Sequence, residues 1–122
     1  MTLIEQIHMA LDEAFDGVDN IIVRRYRLEN EGNPREYIIL SPVSQSNTEY
    51  ANDKGLICTE NVDVKYYAEQ EAFDESKIKL ICDTLKAAGL FIPNGTFYAQ
   101  SLSENNRLCA VTEVERVSVY GS

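Results

Sequence analysis

NVDVKYYAEQEAFDESKIKLICDTLKAAGLF, residues 61–91, joins a strand pattern directly to a helix pattern and decides how the rest of the chain has to fold. Val62, Val64 and Tyr66 alternate with Asp63, Lys65 and Tyr67, the two-residue period of a strand that buries one face. Asp74 then stands where a side-chain oxygen can accept the first amides of a helix, with Phe73 and Ile78 at the two positions of a hydrophobic staple. Ile78, Ile81, Cys82, Leu85 and Ala88 recur at helical spacing and form one apolar stripe over about residues 75–88. Gly89 is placed for a left-handed turn, after which Leu90 folds back on Leu85 in a Schellman ending. A helix that covers a sheet is the expected result, with Lys79 and Lys86 on its solvent side.

Working outward, Thr2 and Glu5 have the spacing of a capping box, and Ile4, Ile7, Leu11, Ala14 and Phe15 make the stripe of a short first helix that ends near Gly17. His8 lies beside that stripe as a boundary or surface histidine. IIVRRYRL, residues 21–28, reads as a strand with Ile22, Tyr26 and Leu28 on one side and Ile21, Val23, Arg25 and Arg27 on the other. ENEGNP is a turn by composition and residues 37–40 resume as a strand, so a hairpin is expected. Pro42 ends that strand or places it at an edge, the polar run 44–48 reads as a loop, and the whole stretch 42–55 is expected to be mobile in the isolated subunit until it is ordered against a neighbour or a larger assembly. A turn at residues 52–55 and a short strand lead into the central strand. Asn94-Gly95 marks another turn before a strand over residues 96–102. Residues 107–120 form a long last strand that keeps no single phase, which requires either bulges or two halves that bury opposite faces. The sum is a single α+β domain over residues 1–122, a mainly antiparallel sheet packed against two helices.

A chain of 122 residues is long enough for one core, burying about two-thirds of its unfolded surface. It has no long apolar run and no leader pattern, so neither a membrane span nor a signal peptide is expected, and folding in cytoplasm is. The formal charge of -9, from 20 acidic and 11 basic residues, argues against affinity built on phosphate neutralisation. It suits a cation, a basic partner, a polyanion that must pass without sticking, or solubility alone. Cys58, Cys82 and Cys109 are odd in number and widely spaced, which reads as reduced, buried thiols, and one histidine gives little material for zinc.

No phosphate loop, nucleotide fingerprint, nucleophile elbow or zinc-protease helix occurs. Asn52, Asp53 and Glu60 lack the spacing of a calcium loop. The carboxylates Glu29, Glu31, Glu69, Glu71 and Glu75 flank strand or helix ends; paired-carboxylate hydrolysis would need two of them facing a pocket at a set separation, and the sequence shows no such pocket. No enzyme, cofactor or metal is expected. Seven tyrosines and no tryptophan supply contact area with polar tips. Tyr26, Tyr37 and Tyr66 are expected in the core, and Tyr50, Tyr67, Tyr98 and Tyr120 are interface candidates or half-buried sheet residues. Arg24, Arg25, Arg27 and Arg35 form the basic cluster of an acidic chain. On a hairpin they either meet carboxylates of a neighbouring copy or stay solvated, balanced by Glu29 and Glu36.

The order of these elements, IIVRRYRL, REYIIL, a polar loop, YANDK, NVDVKYYA and a helix ending KAAGLF, resembles the small tail-completion or tail-terminator proteins of long-tailed bacteriophages and prophages. The similarity in order covers most of the chain, with Asp53-Lys54 and Ala88-Gly89-Leu90-Phe91 as its most telling motifs. It implies a non-enzymatic virion protein, assembled in the bacterial host cytoplasm, that forms a homomeric ring, usually a hexamer. Such a ring caps the tail tube and joins it to the head connector, with strands extended between subunits and DNA passing through the lumen. It implies no catalytic residue. The competing reading is a small acidic cytoplasmic binding or immunity-type protein that neutralises a basic partner; a ring needs two complementary patches per subunit, an inhibitor one.

Overall fold

The computed structural model describes residues 2–18, 21–27, 34–49, 56–93, 96–99 and 107–120, with the backbone alone described for 43–49, 56–58, 96–99, 107 and 118–120. Helix α1, Leu3–Ala14, starts from the expected capping box: the Glu5 amide donates to Thr2 Oγ1 at 3.3 Å and the Thr2 amide donates to Glu5 Oε1 at 3.2 Å. Leu3, Ile7, Leu11 and Phe15 are its buried face, and Gly17 takes φ 78° in the turn that follows. Strand β1, Ile22–Arg25, is short and buries Val23, while Ile22 is half-buried.

Tyr26 stops β1. It adopts φ 71°, the Arg27 amide donates to the Arg25 carbonyl at 2.8 Å, and the Tyr26 amide donates to the Leu40 carbonyl at 2.8 Å. The three-residue bond closes a γ-turn of the rare, strained hand, so the expected core tyrosine is instead 64% exposed. Strand β2, Glu36–Glu49, then enters beside the start of β1, and the two pair in parallel from Ile22↔Tyr37 to Arg25↔Leu40. The expected hairpin is therefore absent. A hairpin closed by residues 29–34 would set Arg25 about level with Ile38, in the middle of the core face. The parallel register puts Val23 there and moves Arg25 to the rim.

β2 does not end at Pro42. It runs antiparallel to β3, Leu56–Glu69, from Glu36↔Ala68 to Glu49↔Leu56, with one register shift between Pro42 and Ser44. The polar run 44–48, expected as a mobile loop, is strand; residues 50–55 lie outside the described residues. Proline is tolerated here because β1 ends at Arg25, beside Leu40, and among the described residues no strand lies on that side of β2 beyond it to receive an amide. The short strand after Gly55 and the central strand are one element. β5, Arg107–Tyr120, pairs with β3 along its whole length without a shift, and β4, Thr96–Ala99, pairs with β5. The order is β1-β2-β3-β5-β4, antiparallel except for the first pair. The two phases of β5 belong to opposite faces: Ala110, Thr112 and Val114 are buried on one, Cys109, Val111 and Val117 lie on the other.

Helix α2, Glu75–Ala87, is capped by Asp74, whose Oδ1 accepts from the Ser76 amide at 2.9 Å and from its hydroxyl at 2.7 Å. These bonds hold the Asp74 carboxyl below the usual range. The Schellman ending forms as expected, with the Leu90 amide donating to Leu85 O at 3.1 Å, the Gly89 amide donating to Lys86 O at 3.0 Å, and Gly89 at φ 81°. Both helices lie on one face of the sheet. Their Leu3, Ile7, Leu11, Ile78, Ile81 and Leu85 form one core with Ile38, Leu40, Val62, Val64, Tyr66 and Val114. Cys109 is buried and Cys82 half-buried, both unbridged, and the Cys58 side chain lies outside the described residues.

Leu85 is fully buried. Leu85→Ala is expected to cost about 2–5 kcal/mol in a urea melt, the transfer term plus the cavity, and a loss under about 1 kcal/mol contradicts the packing. Lys79 and Lys86 are exposed, and alanine at either position should change stability by no more than about 0.5 kcal/mol.

Candidate functional site

The sheet is wide where the helices cover it and narrower beyond. β1 accompanies β2 only to Leu40, and β4 accompanies β5 only over residues 109–112, whereas β2, β3 and β5 continue together to Glu49, Leu56 and Tyr120. The result is a three-stranded arm. Past Pro42, no strand among the described residues pairs with the outer side of β2. Beyond β4, among the described residues, the outer side of β5 carries one bridge, in which the Glu115 amide donates to the Phe91 carbonyl at 2.9 Å. Phe91 and Val117, 61% and 55% exposed, stand at that side.

The arm is braced from the helix side. Glu60 Oε1 accepts from Arg116 Nη2 at 2.6 Å, and Glu60 Oε2 accepts from the Leu3 amide at 3.2 Å. Arg116 Nη1 reaches Gln6 Oε1 at 3.2 Å, and Gln6 Nε2 donates to the Ala88 carbonyl at 3.4 Å. Glu60 is thus spent on an arginine and on the positive end of α1. Asn52 and Asp53 lie outside the described residues, and among those described no cluster of metal-ligating side chains occurs.

The four arginines do not gather. Arg24, half-buried, donates from Nη1 to the Val23 carbonyl at 2.9 Å, and Arg25 donates from Nε to His8 Nδ1 at 2.9 Å. His8 Nε2 stands 3.3 Å from Asp12 Oδ2. Arg27 is exposed past the γ-turn. Arg35 lies at the other end of the β1–β2 pair, its Nε 3.5 Å from Glu69 Oε2. Parallel pairing separates what a hairpin would have joined. Among the tyrosines, Tyr67 stacks on Tyr37 across the strands with ring centres 4.9 Å apart, so its face is engaged within its own sheet. Tyr50, Asp53 and Lys54 lie outside the described residues, and Tyr98 and Tyr120 are described by backbone only.

The largest surprise relative to the sequence is buried. Lys77 Nζ donates to both oxygens of Glu36 at 2.7 Å, and Tyr66 OH donates to Glu36 Oε1 at 2.6 Å. The Asp74 amide donates to Tyr66 OH at 3.4 Å. Glu36 and Lys77 side chains are 6% and 10% exposed. Glu36 is therefore not a counter-charge on a solvated hairpin. It ties the entry of β2 to the end of β3 and the first turn of α2. An open cleft of about 730 Å³ lies over the pair, walled by Ile22, Pro34 and Ala72, with Arg35 and Glu71 also lining it. The hint available in the sequence was Lys77 itself, one position before the buried stripe at Ile78.

A scan against protein-family models finds no match to this chain, and a search of curated proteins finds no significant similarity. No helix among the described residues is long and apolar enough to cross a membrane.

Breaking the buried pair strands a charge, so Glu36→Gln or Lys77→Met alone should cost about 3–5 kcal/mol by urea denaturation. The double variant Glu36→Leu/Lys77→Met should recover most of that loss, and single variants that lose under about 1 kcal/mol contradict the assignment. Burial first, and then the carboxylate of Glu36, push the Tyr66 hydroxyl above the tyrosine range. Burial, followed by the Cys109 thiol, pushes Tyr67 up to about 12. A raised folded value means stability that is complete at neutral pH and is lost as pH climbs past the unfolded tyrosine value of about 10. Melting temperatures measured from pH 8 upward should fall beyond about pH 10, and Tyr66→Phe should flatten that fall.

Proposed function

We propose that this chain is a non-enzymatic structural component of a long-tailed phage or prophage particle, a homomeric ring, with a hexamer as the expected form, that caps the tail tube and joins it to the head connector. The reading rests on the order of elements described above, and the observation that carries it is the three-stranded arm, whose outer strands β2 and β5 have no further strand beside them past Pro42 and past β4 among the described residues. Heterologous assembly needs two different complementary surfaces on each copy, and the arm has two different sides. The charge of -9 suits a ring through which DNA passes without adhering. Tail tube and connector proteins are then the partners, and the virion, assembled in the host cytoplasm, is the location.

The purified chain, concentrated alone and with a tail tube protein, should form closed rings of uniform copy number with a central channel under native mass spectrometry and electron microscopy. A phage lacking the gene should make tails of abnormal length or tails unjoined to heads. A chain that stays monomeric under both conditions, together with normal joined particles from the deletion, contradicts the ring and leaves the acidic binding protein, which neutralises a basic partner through one surface.

A further inference from the structure

Three stretches of chain meet over the buried ion pair: the entry of β2 with Pro34, Arg35 and Glu36, the turn between β3 and α2 with Glu71 and Ala72, and the first turn of α2 with Lys77. Ile22, the first residue of β1, joins them, and the cleft that they line holds about 730 Å³. Small-molecule sites run from about 300 to 1,000 Å³ and combine apolar walls with a few placed polar groups. Ile22, Pro34 and Ala72 supply the apolar surface here, and two charged side chains at least nine-tenths buried, Glu36 and Lys77, supply the polar one.

Glu36 has acceptor capacity to spare. Its carboxylate takes two bonds from Lys77 Nζ and one from Tyr66 OH, two of the three on Oε1. An ionised carboxylate has about four acceptor positions, so among the described residues Oε2 keeps room for one more donor. A lone pair held away from water is costly to leave unmet, which favours a ligand that donates.

The charge balance decides the sign of that ligand. Lys77 cancels Glu36, and Arg35 is shared with Glu69, whose Oε2 lies 3.5 Å from its Nε. Glu71, exposed and lining the cleft, is then the charge in excess among the described residues, within a chain of net charge -9. An entering anion would meet that carboxylate and find Lys77 already engaged, whereas a cation is attracted by both the rim and the molecule as a whole. A bare metal ion fits poorly, since no group of three ligating side chains occurs among the described residues.

We propose that the cleft takes an ammonium or guanidinium group carried on an apolar stem. Glu71 draws in the charge, Glu36 Oε2 accepts a hydrogen bond from it, and Ile22, Pro34 and Ala72 pack on the stem. A free alkylamine and a lysine or arginine side chain of a partner protein present the same chemistry. The site owes nothing to the ring reading, because a particle subunit and a solitary binding protein would carry it alike.

Titrations of the full chain, followed by nitrogen–proton correlation NMR at a constant ionic strength of about 0.15 M, test the site. Pentylamine and agmatine are the free probes, with pentanol as the neutral isostere. Capped tripeptides with a central lysine or arginine are the protein-like probes, with norleucine as their neutral isostere. The cationic probes should shift the amides of Ile22, Arg35, Glu36, Ala72 and Lys77 saturably, and the neutral ones should not. Glu71→Lys should weaken binding by about tenfold, whereas Asp83→Lys, an equal change of charge at an exposed position of α2 outside the cleft lining, should leave it within about twofold. A capped peptide tighter than the free amines by tenfold assigns a protein partner, and any other order assigns a small amine. Shifts that do not saturate by about 20 mM, neutral probes that bind as well as the cations, or equal losses in Glu71→Lys and Asp83→Lys overturn the site and leave the ring reading standing.

Discussion

Everything in this molecule is referred to β3, because it is paired on both sides from Leu56 to Ala68, all but the last of its residues. Such a strand has no tolerance for slippage: a shift by one residue would turn Val62, Val64, Tyr66 and Ala68 out of the core and bring Asp63, Lys65 and Tyr67 beneath the helices. β2 and β5 inherit that register. The helices cover the face of Val62, Val64 and Tyr66 from one side, while Tyr37, Ile39 and Cys109 are buried on the other face of the sheet.

The buried contact between Lys77 and Glu36, joined by Tyr66, holds the corner where this order is hardest to keep. β2 there turns in from a connection that began at a strained γ-turn, and α2 starts after the chain leaves β3. An ion pair in that position gains little net stability over an apolar substitute, since desolvation offsets most of its attraction. Its effect is to make alternative positions of the β2 entry expensive, because any displacement leaves one of two charges buried alone. The brace of Glu60, Arg116 and the first amide of α1 does related work at the base of the arm, nearer to solvent.

Local signals were legible and long-range ones were not. The capping box at Thr2 and Glu5, the Asp74 cap and the Schellman turn at Gly89 need residues within a few positions of one another, and each forms as read. The alternation around Val64 identifies β3 because burial on one face leaves a two-residue mark. By contrast, residues 44–48 carry no apolar mark; they are strand because β3 offers them backbone partners, a tertiary cause invisible in SQSNT. Parallel pairing of β1 was hidden for the same reason, since turn-like composition in residues 29–34 says that the chain turns, not where it returns. Glu36 and Lys77 are 41 positions apart, and nothing in either neighbourhood names the other. Of the candidate interface residues, the arginines read as one cluster only while a hairpin was assumed, and the open sides of the arm follow from strand lengths that composition did not disclose.

The central claim is that β3 is complete within one copy while the outer strands of the arm are completed by neighbours. Amide hydrogen exchange, compared between the monomer at low concentration and the assembled form, measures both halves at once. The account predicts slow exchange throughout residues 56–69 in both states. It also predicts fast exchange for the outward amides of residues 44–49 and 116–120 in the monomer, slowing by orders of magnitude on assembly. Outward amides that exchange equally fast in the two states, or a β3 whose residues 56–61 are unprotected in the monomer, would contradict it.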